Sequence, residues 1–259
     1  MKLKGTMTEQ AYRKHIQLAL LLLILRLQLL DANEQDAFGG ELVRLSVFLV
    51  LITVLLTACT EDSLKDHITK QNINVINSIE GMNVYSHHYD NMDRGHHEFD
   101  GVDIVVDQTY YTSNDVQRGE IVFYNNPKLE NSKINLSEKE ISRIIALPGE
   151  KISIDKGQIY INRRKLDTFY GQAHRLGMNI EELQEATNRS DLANNIRNNY
   201  SDNARDILES KETNLKEIMV PDEHYFIIGD DWFRSADSRH FGTIPKDHIL
   251  GMVLGMVKK

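Results

Sequence analysis

Cysteine occurs once in the 259 residues, at Cys59, so everything after it is free of disulfides and must rest on a packed core. The chain also lacks an uninterrupted apolar run of the ~20 residues that a comfortable membrane span needs. The nearest approaches are residues 16–30, broken by Arg26, and residues 45–58, and both have the length of the apolar centre of a secretory signal. Positive charge is scarce. The formal charge is −8 and there is no Lys/Arg-rich stripe beyond "NRRK" at residues 162–165. Nucleic acid is therefore not an expected partner, because its binding depends on clustered cations that neutralise phosphate. No internal repeat is visible.

The second apolar run ends in "LTAC", and Cys59 closes it. Small residues followed by one cysteine resemble the lipobox of a bacterial lipoprotein, in which that thiol is acylated. Two readings stay open: lipidation at Cys59, or a span or buried segment that happens to carry a cysteine. A signal belongs at the extreme N-terminus, so the lipobox reading goes with a translation start near Leu42 or Val43, with Arg44 as its basic flank. Lys2, Lys4, Arg13 and Lys14 precede the first run, and this end is expected on the cytoplasmic side. Arg26 makes the first run the weaker span, since a central Arg costs ~2.5–3.5 kcal/mol on insertion. One anchoring run then leaves the body outside the cytoplasm, tethered near residue 59.

From residue 102 the pattern changes to short runs rich in β-branched and aromatic residues. "VDIVVD", "RGEIVFY", "SRIIALPGEKISI", "GQIYINRRKL" and "HYFIIGD" are each bounded by Gly, Pro, Asn or Asp and read as strands. Ile152 and Ile154, then "DKG", then Ile159 and Ile161 predict a hairpin. Pro148 must lie at an edge or a break. Residues 169–219 are polar and rich in Glu, Asn and Leu, which predicts two or three helices inserted between strands.

The stretch "GDDWFRSADSRHFG", residues 229–242, holds the only tryptophan, Trp232. Taken alone it is a strand end entering a turn, because Gly tolerates unusual backbone angles and Asp bonds its own backbone. Taken with "RGEIVFY" (118–124) and "SRIIALPGEKISIDKGQIYINRRKL" (142–166), it resembles the three boxes of type I signal peptidases, the S26 peptidase family, in the family's order. Gly229, Asp230, Ser235, Asp237, Ser238 and Arg239 match the last box, and Asp231 stands where that box usually has Asn.

The resemblance implies a mainly β, signal-peptidase-like core with an inserted α-helical accessory region and N-terminal apolar segments. It also implies an extracytoplasmic body anchored at the cell membrane, and cleavage of signal peptides by a Ser nucleophile with a Lys base. Such a lysine must be uncharged near the hydroxyl, which an apolar pocket achieves by penalising the ammonium form. The family's Lys precedes the Arg of the second box, and here that position is Ser142, ahead of Arg143. A serine hydroxyl is no general base at neutral pH. The nucleophile box, S-M-x-P-T, finds its counterpart in "NMDRG", with Asn91 in the Ser position and Met92 retained. Ser86 is the fallback nucleophile, at poorer spacing. Ser235 by resemblance would bond the missing Lys, whereas Asp237 and Arg239 keep a structural reading as a pair across a turn.

His87, His88, His96 and His97 lie among Asp90, Asp93, Glu98 and Asp100. "HEFDG" is not H-E-x-x-H, and adjacent histidines on a strand point apart, so neither a metal nor another cofactor is assigned. The resulting layout is an N-terminal extension (1–41), an anchor segment (42–59), a linker with the degenerate nucleophile box (60–101), two parts of the β core (102–168 and 220–259) and the helical insertion (169–219). The expected function is a membrane-tethered homologue that binds signal peptides or modulates an active signal peptidase. The alternative is an active serine endopeptidase that removes signal peptides.

Overall fold

Alternating β-branched residues in the body produce strands wherever a turn residue stops the run. A computed structural model describes residues 63–77, 81–128 and 136–258. The apolar runs at 16–30 and 45–58, Cys59 and the segments 1–41 and 42–59 lie outside the described residues. In chain order the strands are β1 (Ser63–Lys65), β2 (Val75–Ile76), β3 (Asn83–His87), β4 (Val102–Asp107), β5 (Ile121–Asn125), β6 (Lys139–Ala146), β7 (Lys151–Asp155), β8 (Gln158–Ile161) and β9 (Arg164–Asp167). Helices α1 (Ile180–Asn188) and α2 (Asn194–Glu209) follow, then β10 (Leu215–Met219), β11 (His224–Ile228), the single-turn α3 (Ser238–Phe241), β12 (Ile244–Pro245) and β13 (Ile249–Val257). The body is mainly β. No helix among the described residues is long and apolar enough to cross a membrane.

The strands form two sheets. The larger has the order β12-β11-β6-β5-β13-β4-β3, with β2 added parallel to β13, and the smaller has the order β1-β9-β8-β7-β10. The chain passes from one to the other through residues 147–150, and Pro148 sits in this break, where it forfeits no ladder hydrogen bond. The anticipated hairpin is β7–β8, with Ile152 opposite Ile161 and Ile154 opposite Ile159. Its two central turn residues, Lys156 and Gly157, have φ of 47° and 82°, the left-handed pair that matches strand twist. Gly157 is required twice over, since a Cβ there would lie 2.9 Å from both Ala173 and Ile207.

Two of the expected inserted helices are present. Asn179 and Glu182 cap α1 reciprocally, each side chain accepting the other's backbone N–H. Leu183 of α1 and Ala204 and Ile207 of α2 complete one core with the four hairpin isoleucines, Phe226, Ile228 and Trp232. The insertion thus roofs the smaller sheet instead of only decorating it. The last part of that segment, residues 215–219, is strand β10 on β7. On the larger sheet, Met92, Ile104, Phe123 and Ile141 form a second core, and Val122, Tyr124, Ile144 and Ile227 a third.

Candidate functional site

Strand β6 supplies two neighbouring side chains that face opposite ways, as strand geometry demands. Arg143 points toward the end of β11. Its Nε and Nη2 donate to Asp230 Oδ1 and Oδ2 at 2.7 and 2.6 Å, and Nη1 donates to the Gly119 carbonyl at 2.6 Å. The guanidinium also lies over the rings of Phe169 and Tyr170, at 5.0 and 5.2 Å. Arg94 reaches the same carboxylate from the other side, with Nε 3.5 Å from Asp230 Oδ2. The "NMDRG" loop is therefore joined to the "GDD" loop across more than half the described chain.

Ser142 points the other way. Its hydroxyl is 3.5 Å from the Tyr124 hydroxyl, and both are buried. Burial raises the Tyr124 phenol above its ordinary range, so at neutral pH it remains protonated. Asn91 meets β6 one residue earlier, its Nδ2 donating to the Ile141 carbonyl at 2.7 Å. The Asn91 carbonyl accepts from the Asp231 N–H at 2.9 Å and from Ser235 Oγ at 3.0 Å. Ser235 Oγ also lies 2.6 Å from the Asp231 carbonyl, so its one proton is shared between two acceptors. Asn91, Ser142 and Ser235 are 4, 1 and 8 % exposed. Met92, beside Asn91, is buried in the second core.

Gly229 permits this approach. A Cβ at that position would stand 1.9 Å from Ser235 Oγ and 2.6 Å from the Asn91 carbonyl. Around it, Asp237 accepts from the Gly229 N–H at 3.1 Å, caps α3 by accepting from the Arg239 N–H, and takes both Arg239 Nε and Nη2 at 2.8 Å. Arg239 Nη2 donates in addition to the Trp232 carbonyl, and the guanidinium covers the Trp232 ring at 4.8 Å. Ser238 Oγ accepts the Ile227 N–H at 2.9 Å. All five matched polar residues of the last box are thereby spent on holding the turn.

Ser86 is not brought to this place. It lies on the exposed face of β3 and donates to Asp103 Oδ1 at 2.6 Å, while its neighbour His87 turns inward and is buried. His88, His96 and His97 are exposed. No group of three or more metal-ligating side chains stands together among the described residues. His87 is the residue that motif reading passed over. Its Nδ1 lies 3.4 Å from Glu140 Oε1 on β6, and its side chain interacts with that of Asn91. Burial pushes the imidazole down to about 4, against the opposing pull of Asn91 and Asp100. Burial also pushes the Glu140 carboxyl up to about 7, opposed by hydrogen bonds from the Ile141 N–H and the Ser137 hydroxyl. The available signal was weak: along a strand neighbouring side chains face opposite ways, but the pattern does not say which face is covered.

A family model described as "Signal peptidase, peptidase S26" matches residues 75–257. Among curated proteins, a "Probable signal peptidase I-2" of Synechocystis sp. is 25% identical over 148 residues, which is 57% of this chain and 51% of that protein. A "Signal peptidase IB" of Staphylococcus aureus is 25% identical over 154 residues, 60% of this chain and 67% of that protein. The match thus spans about half the length of the first of these relatives. A solved signal peptidase I structure from Enterococcus faecalis is 23% identical, aligning over 54% of this chain and 97% of that chain with a TM-score of 0.33.

Proposed function

The chain belongs to the signal peptidase family, peptidase S26, and on that premise we propose that it is a non-catalytic member, lacking the Ser/Lys dyad, that binds signal peptides or modulates an active signal peptidase. In this reading the chain is tethered to the cell membrane near residue 59 and the body stands on the extracytoplasmic side. The observation that carries the reading is the pair Asn91 and Ser142. An amide and a hydroxyl occupy the positions where the family's order of boxes expects a hydroxyl and an amine. Neither chemistry survives the exchange, because an amide forms no acyl-enzyme and a serine takes no proton at neutral pH.

Burial supports the same reading. Asn91 fills its place by bonding the Ile141 carbonyl, and Ser142 has Tyr124 beside it, so the two positions are packed and not poised. The surrounding groups, Met92, Arg143, Gly229, Asp230, Ser235, Asp237 and Arg239, hold the two loops together without chemistry of their own. The test is hydrolysis of a fluorogenic signal-peptide substrate by the full-length chain in detergent, beside the same substrate titrated for binding by anisotropy. Binding without turnover is expected. Turnover unaffected by Asn91→Ala and Ser142→Ala would overturn the reading.

A further inference from the structure

A histidine that serves as base to a hydrolytic serine needs one ring nitrogen free to take the proton and a carboxylate near the other. His87 has that environment. Nδ1 lies 3.4 Å from Glu140 Oε1, Nε2 is buried without a hydrogen-bond partner, and the ring interacts with the Asn91 side chain four residues on. Oδ1 of Asn91 is likewise buried without a hydrogen bond of normal geometry. An unpaired buried polar atom costs ~1–3 kcal/mol, and here the two belong to side chains that interact with each other. On the other side of the question, Ser142 has only Tyr124 beside it, a phenol held protonated by its burial.

We infer that His87, oriented by Glu140, is the acid–base group of this site, and that residue 91 alone separates the chain from an acyl-transfer site. The inference rests on the reading that Asn91 occupies the nucleophile position. It differs from a Lys-based restoration, which would need a change at 142 as well. With a hydroxyl at 91 and a fluorophosphonate as electrophile, the hydroxyl oxygen bonds phosphorus, its proton passes to His87 Nε2, and fluoride departs with the P–F electron pair. Besides Glu140, 3.4 Å from Nδ1, the groups acting on His87 are the side chains of Asn91, His88 and Asp100 and the backbone of Tyr89, whose ring lies against its edge.

The test is labelling of the full-length chain by a fluorophosphonate, with the site read by peptide mapping. Asn91→Ser should be labelled at residue 91 at least about tenfold faster than the native chain. Labelling should rise as Glu140 ionises, pushed up to about 7, and should be lost in Asn91→Ser/His87→Gln but kept in Asn91→Ser/Ser142→Ala. Labelling of Asn91→Ser/Ser142→Lys with none of Asn91→Ser would overturn the His87 assignment while leaving position 91 as the nucleophile site. No labelling of either would remove the position 91 reading and this inference with it. Reagent access is bypassed by titrating the thiol of Asn91→Cys through its thiolate absorbance, with the native chain subtracted to remove Cys59. Its pKa should lie at least about one unit lower with His87 than with His87→Gln, and equal values would overturn the inference.

Discussion

Arg143 and Asp230 are 87 residues apart in the chain and are joined by two parallel hydrogen bonds of 2.7 and 2.6 Å, fully buried between β6 and the end of β11. The guanidinium fork matches the carboxylate in plane and spacing, a fit that a lysine cannot reproduce. Because Arg94 shares the carboxylate, Asp230 adds a tie between the loop bearing Asn91 and the larger sheet to the one that Asn91 makes with the Ile141 carbonyl.

Removing one partner of a buried ion pair costs ~3–5 kcal/mol where the charge left behind is uncompensated. The two sides are unequal here. Arg143→Ala leaves Asp230 with Arg94, whereas Asp230→Ala leaves two guanidiniums facing each other. Denaturant unfolding should therefore rank Asp230→Ala as the more destabilised, and the reverse order would count against the shared-carboxylate geometry.

Gly229→Ala should destabilise by ~1–3 kcal/mol, because the new Cβ meets Ser235 Oγ at 1.9 Å and the Asn91 carbonyl at 2.6 Å. Adding Ser235→Gly removes the first obstacle and leaves the second, which is backbone. Thermal unfolding should show partial recovery only. Full recovery would mean that the Asn91 carbonyl is free to move away.

The buried His87–Glu140 pair makes stability depend on pH in two windows. Glu140 is pushed up to about 7 from 4.5, so its contribution is intact below pH 4.5 and is lost as pH rises through 7. His87 is pushed down to about 4 from 6.5, so its contribution is intact above pH 6.5 and is lost as pH falls toward 4. The two contributions oppose each other between pH 4.5 and 6.5, so Glu140→Gln should leave denaturant midpoints that rise with pH in that interval more steeply than those of the native chain. An unchanged slope there would show the carboxylate to be better solvated than its surroundings imply.

Ser86→Ala should change stability by less than about 0.5 kcal/mol and leave the proposed signal-peptide binding unaffected, because this hydroxyl is exposed and bonds only Asp103. A large loss of binding in an anisotropy titration would return Ser86 to consideration as a site residue.

Much of the architecture was legible from residue pattern. The alternation around "DKG" is the β7–β8 hairpin, Pro148 marks the crossing between sheets, and the polar segment after residue 169 does contain helices. Three parts were not. Strand β13 combines glycines with apolar residues in a run that has no clean period, yet it sits inside the larger sheet between β4 and β5. Residues 60–101 show no strong pattern, yet they carry β1, β2 and β3. The apolar half of the insertion is spread over α1 and α2, so its role as a roof emerges only when both helices meet the hairpin isoleucines.

The sequence by itself determined the family, through boxes whose residue types and order are local facts, and it determined that an amide and a hydroxyl stand at 91 and 142. Only tertiary structure decided which side chains share an environment. A strand's period of two places Ser86 and His87 on opposite faces but leaves open which face is covered, and that was settled by β3 pairing with β4, with His87 opposite Val102. Ionisation followed from the same choice. His87 and Glu140 acquire their displaced proton affinities from desolvation, a property of what surrounds each of them that no residue type encodes.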